Sequence, residues 1–125
     1  MKKIKDLNTE TKIMRTIFKT LPDLEILVDF VVSKYKPEKI ILFGSYATKT
    51  ERKNSDIDLL IIKETNKRFV DRVIELVQLI RKRFGFEYPV EPLVYTPEEW
   101  KCAEEINSSF IRLVLSKGVV LYEKE

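Results

Sequence analysis

Two short motifs in this chain could do chemistry: Gly44-Ser45 and, ten residues later, Asp56 and Asp58 flanking Ile57. The aspartates open an apolar run, DIDLLIIK, that reads as a strand. Side chains alternate along a strand, so the two carboxylates point to one face and Ile57 to the other. Like charges held this close repel, and burying them without a partner would force one to take up a proton. A divalent cation is the natural counter-charge. All-oxygen donors in a chain without histidine suit a hard ion such as Mg²⁺, which commonly joins carboxylates to phosphates. Gly44-Ser45 would receive that phosphate, because glycine lets the backbone approach closely and amides opening a helix bind anions. Either motif alone is commonplace, a strand end or a turn. The specific signal is their combination: strand, Gly-Ser, short helix, then a strand-borne Asp-x-Asp.

The flanking elements would have to hold these residues in register. Leu24, Leu27, Val28, Val31 and Tyr35 fall at helical spacing, with Pro22 suited to a first turn and Pro37 beyond the end. KIILFG reads as a buried strand stopped by glycine, and residues 45–50 as the opening of a short helix. Phe69, Val70, Val73, Val77, Ile80 and Phe84 mark a long amphipathic helix closed by Gly85. YPVEPLVY is a third strand, which its two prolines confine to an edge. Thr96-Pro97-Glu98-Glu99 is a capping box with proline in the first turn, and Asn107-Ser108-Ser109 restarts a helix that runs to Gly118, before a short VVLY strand. Trp100 and Phe110 sit at helical positions and read as core or interface rather than a base-stacking platform. The expected fold is α/β (α+β), a small mixed sheet packed against helices. Residues 1–20 read as an N-terminal arm or helix and 21–125 as the domain itself.

With 125 residues the chain suits one domain and one core. Its 23 Lys/Arg against 20 Asp/Glu leave a charge of +3, concentrated in the half that contains Gly44-Ser45, which fits an anionic ligand. A lone cysteine, Cys102, excludes a disulfide framework or a thiolate metal cluster, and the absence of histidine excludes an imidazole base and a His-ligated zinc. No apolar run reaches membrane-spanning length and MKKIKDLNTETK lacks a signal-peptide core, so a cytoplasmic protein is expected. Basic and aromatic residues are not interleaved as a polynucleotide surface requires.

The stretch FGSYATKTERKNSDIDLLI, with its Gly44-Ser45, ten residues and Asp56-Ile57-Asp58, resembles the signature of the DNA polymerase β-like nucleotidyltransferases. Within that superfamily it is most similar to the stand-alone minimal nucleotidyltransferases, from about residue 22 to the SKGVVLYE terminus. The resemblance implies the nucleotidyltransferase fold and transfer of a nucleoside monophosphate, AMP from ATP being favoured, to an acceptor. It implies that Gly44 and Ser45 hold the β and γ phosphates and that Asp56 and Asp58 ligate two Mg²⁺ ions, with Mn²⁺ as an alternative. A third carboxylate, usually aspartate, comes from a neighbouring strand in such proteins. Here Glu91 is the candidate, preferred to Glu87 because it lies within the apolar run. Many relatives carry Arg-Gly where this chain has Thr48-Lys49, so Lys49, or Arg52 or Lys53, is expected to supply the missing charge to the nucleotide. The implied partner is a HEPN-domain ribonuclease toxin, modified on a tyrosine by this chain acting as its antitoxin; a homodimer is left open. Two alternatives stand beside it. One is a binding module that neutralises its partner by occlusion, and the other a transferase acting on a small molecule such as an aminoglycoside.

Overall fold

The computed structural model describes residues 24–52 and 54–125. The arm expected over residues 1–20, Pro22 and Lys53 lie outside the described residues. Helix α1 (Leu24–Tyr35) leads into strand β1 (Lys39–Phe43) and the single-turn helix α2 (Ser45–Thr48). Strand β2 (Ile57–Ile62), helix α3 (Phe69–Phe84) and strand β3 (Val90–Tyr95) follow, then helices α4 (Pro97–Ile106) and α5 (Ser109–Lys117) and strand β4 (Val119–Glu123). The sheet runs β3-β2-β1-β4. Both neighbours of β1 are antiparallel to it, whereas β2 and β3 are parallel, joined by α3 as a β-α-β unit. The sheet is mixed, and β3, with Pro92 in it, takes the edge as its prolines required.

Strand alternation divides the core in two. Ile40, Leu42, Ile57, Leu59, Ile61 and Val94 face α1 and α3, where they meet Leu27, Val31, Leu76 and Ile80. Ile41, Leu60 and Ile62 face the opposite side and are covered by Trp100 of α4 and Ile111 and Val114 of α5. On β4, Leu121 is an extra residue between the pairs Ile40–Tyr122 and Ile41–Val120, so Leu121 and Tyr122 both reach the first core. Trp100 and Phe110 are packing residues: Trp100 stacks edge-on against Tyr95, and Phe110 against Phe43, with ring centres 5.5 Å apart in each pair.

Local signals in the sequence set the helix ends. The Thr96 hydroxyl accepts from the Glu99 amide while the Glu99 carboxylate accepts from the Thr96 amide, and Ser108 caps α5 through the Ile111 amide. Gly85 closes α3 at φ 63°. The buried face of α3 differs from the apolar stripe read in the sequence. Phe69 and Val70 are exposed, and Arg72, Leu76 and Ile80 are the buried positions. Arg72 can sit inside because its guanidinium donates to the Lys67 and Val94 carbonyls and to both Glu99 oxygens, the closest at 2.7 Å. One arginine thereby ties the start of α3, the end of β3 and the cap of α4 together.

Candidate active site

One row of the sheet brings the two motifs and the third carboxylate together. Phe43 pairs with Asp58 across β1–β2, and Asp58 pairs with Glu91 across β2–β3. Directly paired residues point to the same face, so Asp58 and Glu91 share the face on which Leu60, Ile62 and Tyr95 lie further along. Helices α4 and α5 cover those deeper residues. Asp58 is half-buried, while Glu91 and Asp56 are exposed. Asp56 lies one residue ahead of β2 rather than within it.

Gly44 follows Phe43 and so stands at the end of β1 beside Asp58. Its φ of 74° and ψ of −155° belong to a region that side-chain-bearing residues avoid, and a Cβ there would overlap the Asp58 carboxylate oxygen Oδ2. Glycine is thus required twice, by the backbone and by the carboxylate packed on it. The helix it opens is one turn long, so its macrodipole is small and any hold on an anion falls to individual amides. The Gly44 carbonyl accepts from the amides of Ala47 and Thr48, and the Ser45 and Tyr46 amides precede that first bond.

Lys49 caps α2 in the left-handed region, φ 62°, with its amide donating to the Ser45 carbonyl. Glycine would adopt this conformation without strain. Its side chain is exposed. The neighbouring Thr48 turns its hydroxyl to the Gly44 and Ser45 carbonyls and to Thr50. Glu87 is exposed in the turn between α3 and β3, outside the row that pairs Asp58 with Glu91.

Two of the three carboxyls are perturbed by their neighbours. Glu91 is raised above the ordinary carboxylate range, first by a hydrogen bond with the Asp56 carboxyl, then by burial and the charges of Asp56 and Asp58. Asp58 is raised as well, by desolvation first and the Asp56 charge second. Both shifts have the sign expected where burial and like charge crowd a carboxyl. Among the described residues no group of three His, Cys, Asp or Glu side chains is already posed to hold a metal ion. The donor chemistry nevertheless fits a hard divalent cation, because the three groups are carboxylates carried by one end of two neighbouring strands. Side-chain rotation at the exposed Asp56 and Glu91 would close the set.

The sequence missed Arg72, since a helical arginine reads as solvent-facing; its signal was the Glu99 of the capping box, which needed a partner once α4 packed on the sheet. A pocket beside Asp56, lined also by Arg81 and Phe86, was likewise not legible.

Comparison with known proteins agrees with this fold. A family model described as Nucleotidyltransferase domain matches residues 24–117. A Methanocaldococcus jannaschii protein named as a candidate protein adenylyltransferase is 38% identical over 97 residues, 76% of this chain and 90% of its own length. A second protein of that organism, named in the same way, is 32% identical over 75 residues, 58% of this chain and 75% of its own. The crystal structure of a candidate nucleotidyltransferase from Sulfolobus solfataricus superposes with a TM-score of 0.53 at 20% identity, covering 94% of this chain and 90% of that one, a likeness of fold.

Proposed function

The chain belongs to the nucleotidyltransferase domain family and is a nucleotidyltransferase; from that premise we propose that it moves AMP from ATP to a hydroxyl of a partner protein. The observation that carries this reading is that Gly44, just past the end of β1, packs on the Asp58 carboxylate of β2, which pairs in turn with Glu91 of β3. The names of the two Methanocaldococcus relatives support adenylyl transfer and a protein acceptor.

In this reading the Ser45 and Tyr46 amides, with Lys49 nearby, hold the β and γ phosphates. Asp56, Asp58 and Glu91 hold Mg²⁺, in two ions as the resemblance implies, or Mn²⁺ in its place. Bound there, the metal would neutralise phosphate charge and polarise the reacting oxygens. The acceptor hydroxyl oxygen forms a bond to the α-phosphorus as the bond from that phosphorus to the pyrophosphate oxygen breaks. Pyrophosphate leaves with the electron pair, and the hydroxyl proton passes to the Glu91 carboxylate. Glu91 suits the task because it pairs with Asp58 in the strand row and its side chain is exposed. Positioning and electrostatics do the rest, without a covalent enzyme intermediate.

The acceptor that the sequence resemblance favours is a HEPN-type toxin met in the cytoplasm, with this chain as its antitoxin. No described helix is long and apolar enough to cross a membrane. Intact-mass analysis of the protein encoded beside this chain, after incubation with it, ATP and Mg²⁺, tests the proposal. An AMP-sized increase that disappears with Asp58→Asn is the expected result. A stable complex with no mass change, and neutralisation that survives Asp58→Asn, would refute transfer to that partner.

A further inference from the structure

A groove of about 390 Å³ lies between α1 and α3, in the helical layer on one face of the sheet. Phe30 and Leu79 form its floor, half-buried against the core, and the exposed Lys34, Lys82 and Arg83 stand around its rim. None of these five residues belongs to the row of Gly44, Asp58 and Glu91 or to the pocket beside Asp56. Among the described residues no carboxylate lines the groove and none of its three cations makes an ion pair. At the start of α3, by contrast, Lys67 and Arg68 are paired with Glu75 and Asp71. Helix dipoles favour basic residues in a last turn, which accounts for charge at the ends of α1 and α3. They do not account for an apolar floor left open between those charges.

An occupant must bring apolar side chains for Phe30 and Leu79 and carboxylates for the three cations. Residues 1–23 carry six Lys/Arg against three Asp/Glu, the wrong sign to fill it. A second copy offers Glu104, Glu105 and the 77% exposed Ile106, but these end α4, in the layer on the opposite face of the sheet. A contact between opposite layers is head to tail and does not close on a two-fold axis. A single-stranded nucleic acid needs open rings for its bases, whereas Phe30 packs edge-on against Phe84, ring centres 5.2 Å apart.

We propose that this groove docks the acceptor protein through an acidic amphipathic helix, apart from the reaction centre. A groove between two helices accepts the ridge of a third. Its apolar stripe would lie on Phe30 and Leu79, and its carboxylates would reach Lys34, Lys82 and Arg83. The Arg83 guanidinium is already held, 4.8 Å from the centre of the Phe84 ring. That the partner is the acceptor rests on the nucleotidyl-transfer reading.

The test uses a fluorescein-labelled helical peptide, two repeats of Glu-Leu-Leu-Glu-Glu-Leu-Ala, and its counterpart with lysine in place of glutamate. Their binding to the full chain is followed by fluorescence anisotropy. Saturable binding of the glutamate peptide alone is expected, weakened about tenfold by Arg83→Glu, a change of about 1.4 kcal/mol. Lys34→Glu combined with Lys82→Glu, both at exposed positions, should switch the preference to the lysine peptide. Lys101→Glu, the same charge change on α4, serves as the control and should leave binding unaltered. No saturable binding to the wild type, equal weakening by Lys101→Glu, or an unchanged preference in the double variant overturns the inference. So does displacement of the peptide by single-stranded RNA, which would assign the groove to a polynucleotide. Self-association in sedimentation that Glu105→Lys abolishes would assign it to a second copy and overturn the inference as well. AMP incorporation with the wild type scores the transfer reading separately, so either can fail without the other. With the protein encoded beside this chain as acceptor, the double variant should raise KM about tenfold and leave kcat unchanged; an unchanged KM overturns the acceptor as the occupant.

Discussion

Asp58→Asn should stabilise the metal-free protein while abolishing transfer, a pairing that only a functional carboxylate produces. Asp58 is half-buried and faces Asp56 two residues away. Two residues of strand separate the carboxylates by about 7 Å. At that distance the repulsion is roughly 2 kcal/mol at an effective dielectric of 20 and about 0.6 kcal/mol in bulk water. Asp56 is exposed, so the wetter limit weighs more and about 1 kcal/mol is the working figure. For a domain of this size that raises the melting temperature by about 4 °C. The pH dependence has a definite sign. The Asp58 carboxyl is raised in the folded state, so its proton-linked contribution is fully present below the unfolded value and is lost as pH rises through the folded one. The advantage of Asp58→Asn is therefore largest near neutrality and disappears on acidification. Mg²⁺ at ten times its dissociation constant should stabilise the wild type by about 1.4 kcal/mol and the variant by much less. Thermal or urea unfolding of both proteins, with and without Mg²⁺ at neutral and acidic pH, gives the answer. A variant less stable than the wild type without metal would show Asp58 to be a structural residue, and the reasoning would fail.

Glu91→Gln keeps the size of the side chain but cannot take a proton and is a weaker ligand; kcat should fall by about 100-fold or more and Mg²⁺ should bind more weakly, and an unchanged kcat would remove Glu91 from the chemistry. Lys49→Gly relieves a left-handed lysine and should stabilise the chain by about 0.5–1 kcal/mol; ATP titration of the same variant shows whether its charge reaches the nucleotide. Gly44→Ala meets both a positive φ and the Asp58 carboxylate, so a loss of about 1–3 kcal/mol is expected together with loss of activity, measured by denaturant unfolding and pyrophosphate release. Arg72→Met removes the donors to Lys67, Val94 and Glu99; it should cost about 2–3 kcal/mol, below the penalty for a fully buried pair because Glu99 stays partly exposed. Glu99 is held below its ordinary range, chiefly by Arg72, so this contribution is present above the unfolded value and is lost as pH falls through the folded one, opposite in sign to Asp58. Acid unfolding of Arg72→Met should accordingly be less steep than that of the wild type.

Sequence alone determined the local parts. Strand, Gly-Ser, short helix and Asp-x-Asp strand are written in consecutive residues, and so are the capping box at Thr96, the restart at Ser108 and the edge placement of the proline-bearing strand. Each is decided by neighbours within a few positions, through backbone dihedrals, capping hydrogen bonds and the alternation of a strand. Glu91 was legible as a candidate because a carboxylate inside an apolar run needs a reason to be there. The tertiary structure alone decided what depends on register between distant segments. Pairing of β2 with β3 set Glu91, rather than Glu87, opposite Asp58, and pairing of β1 with β2 laid Gly44 against the Asp58 carboxylate. The buried face of α3 escaped the sequence for the same reason. Arg72 becomes a core residue only when Glu99, 27 positions away, and the Val94 carbonyl arrive to satisfy it. The pocket at Arg81 and Phe86 likewise exists only where the end of α3 meets the start of β3 beside Asp56. Short-range chemistry is encoded in order along the chain, but electrostatic and hydrogen-bonding partnerships form in space, after packing has chosen who the neighbours are.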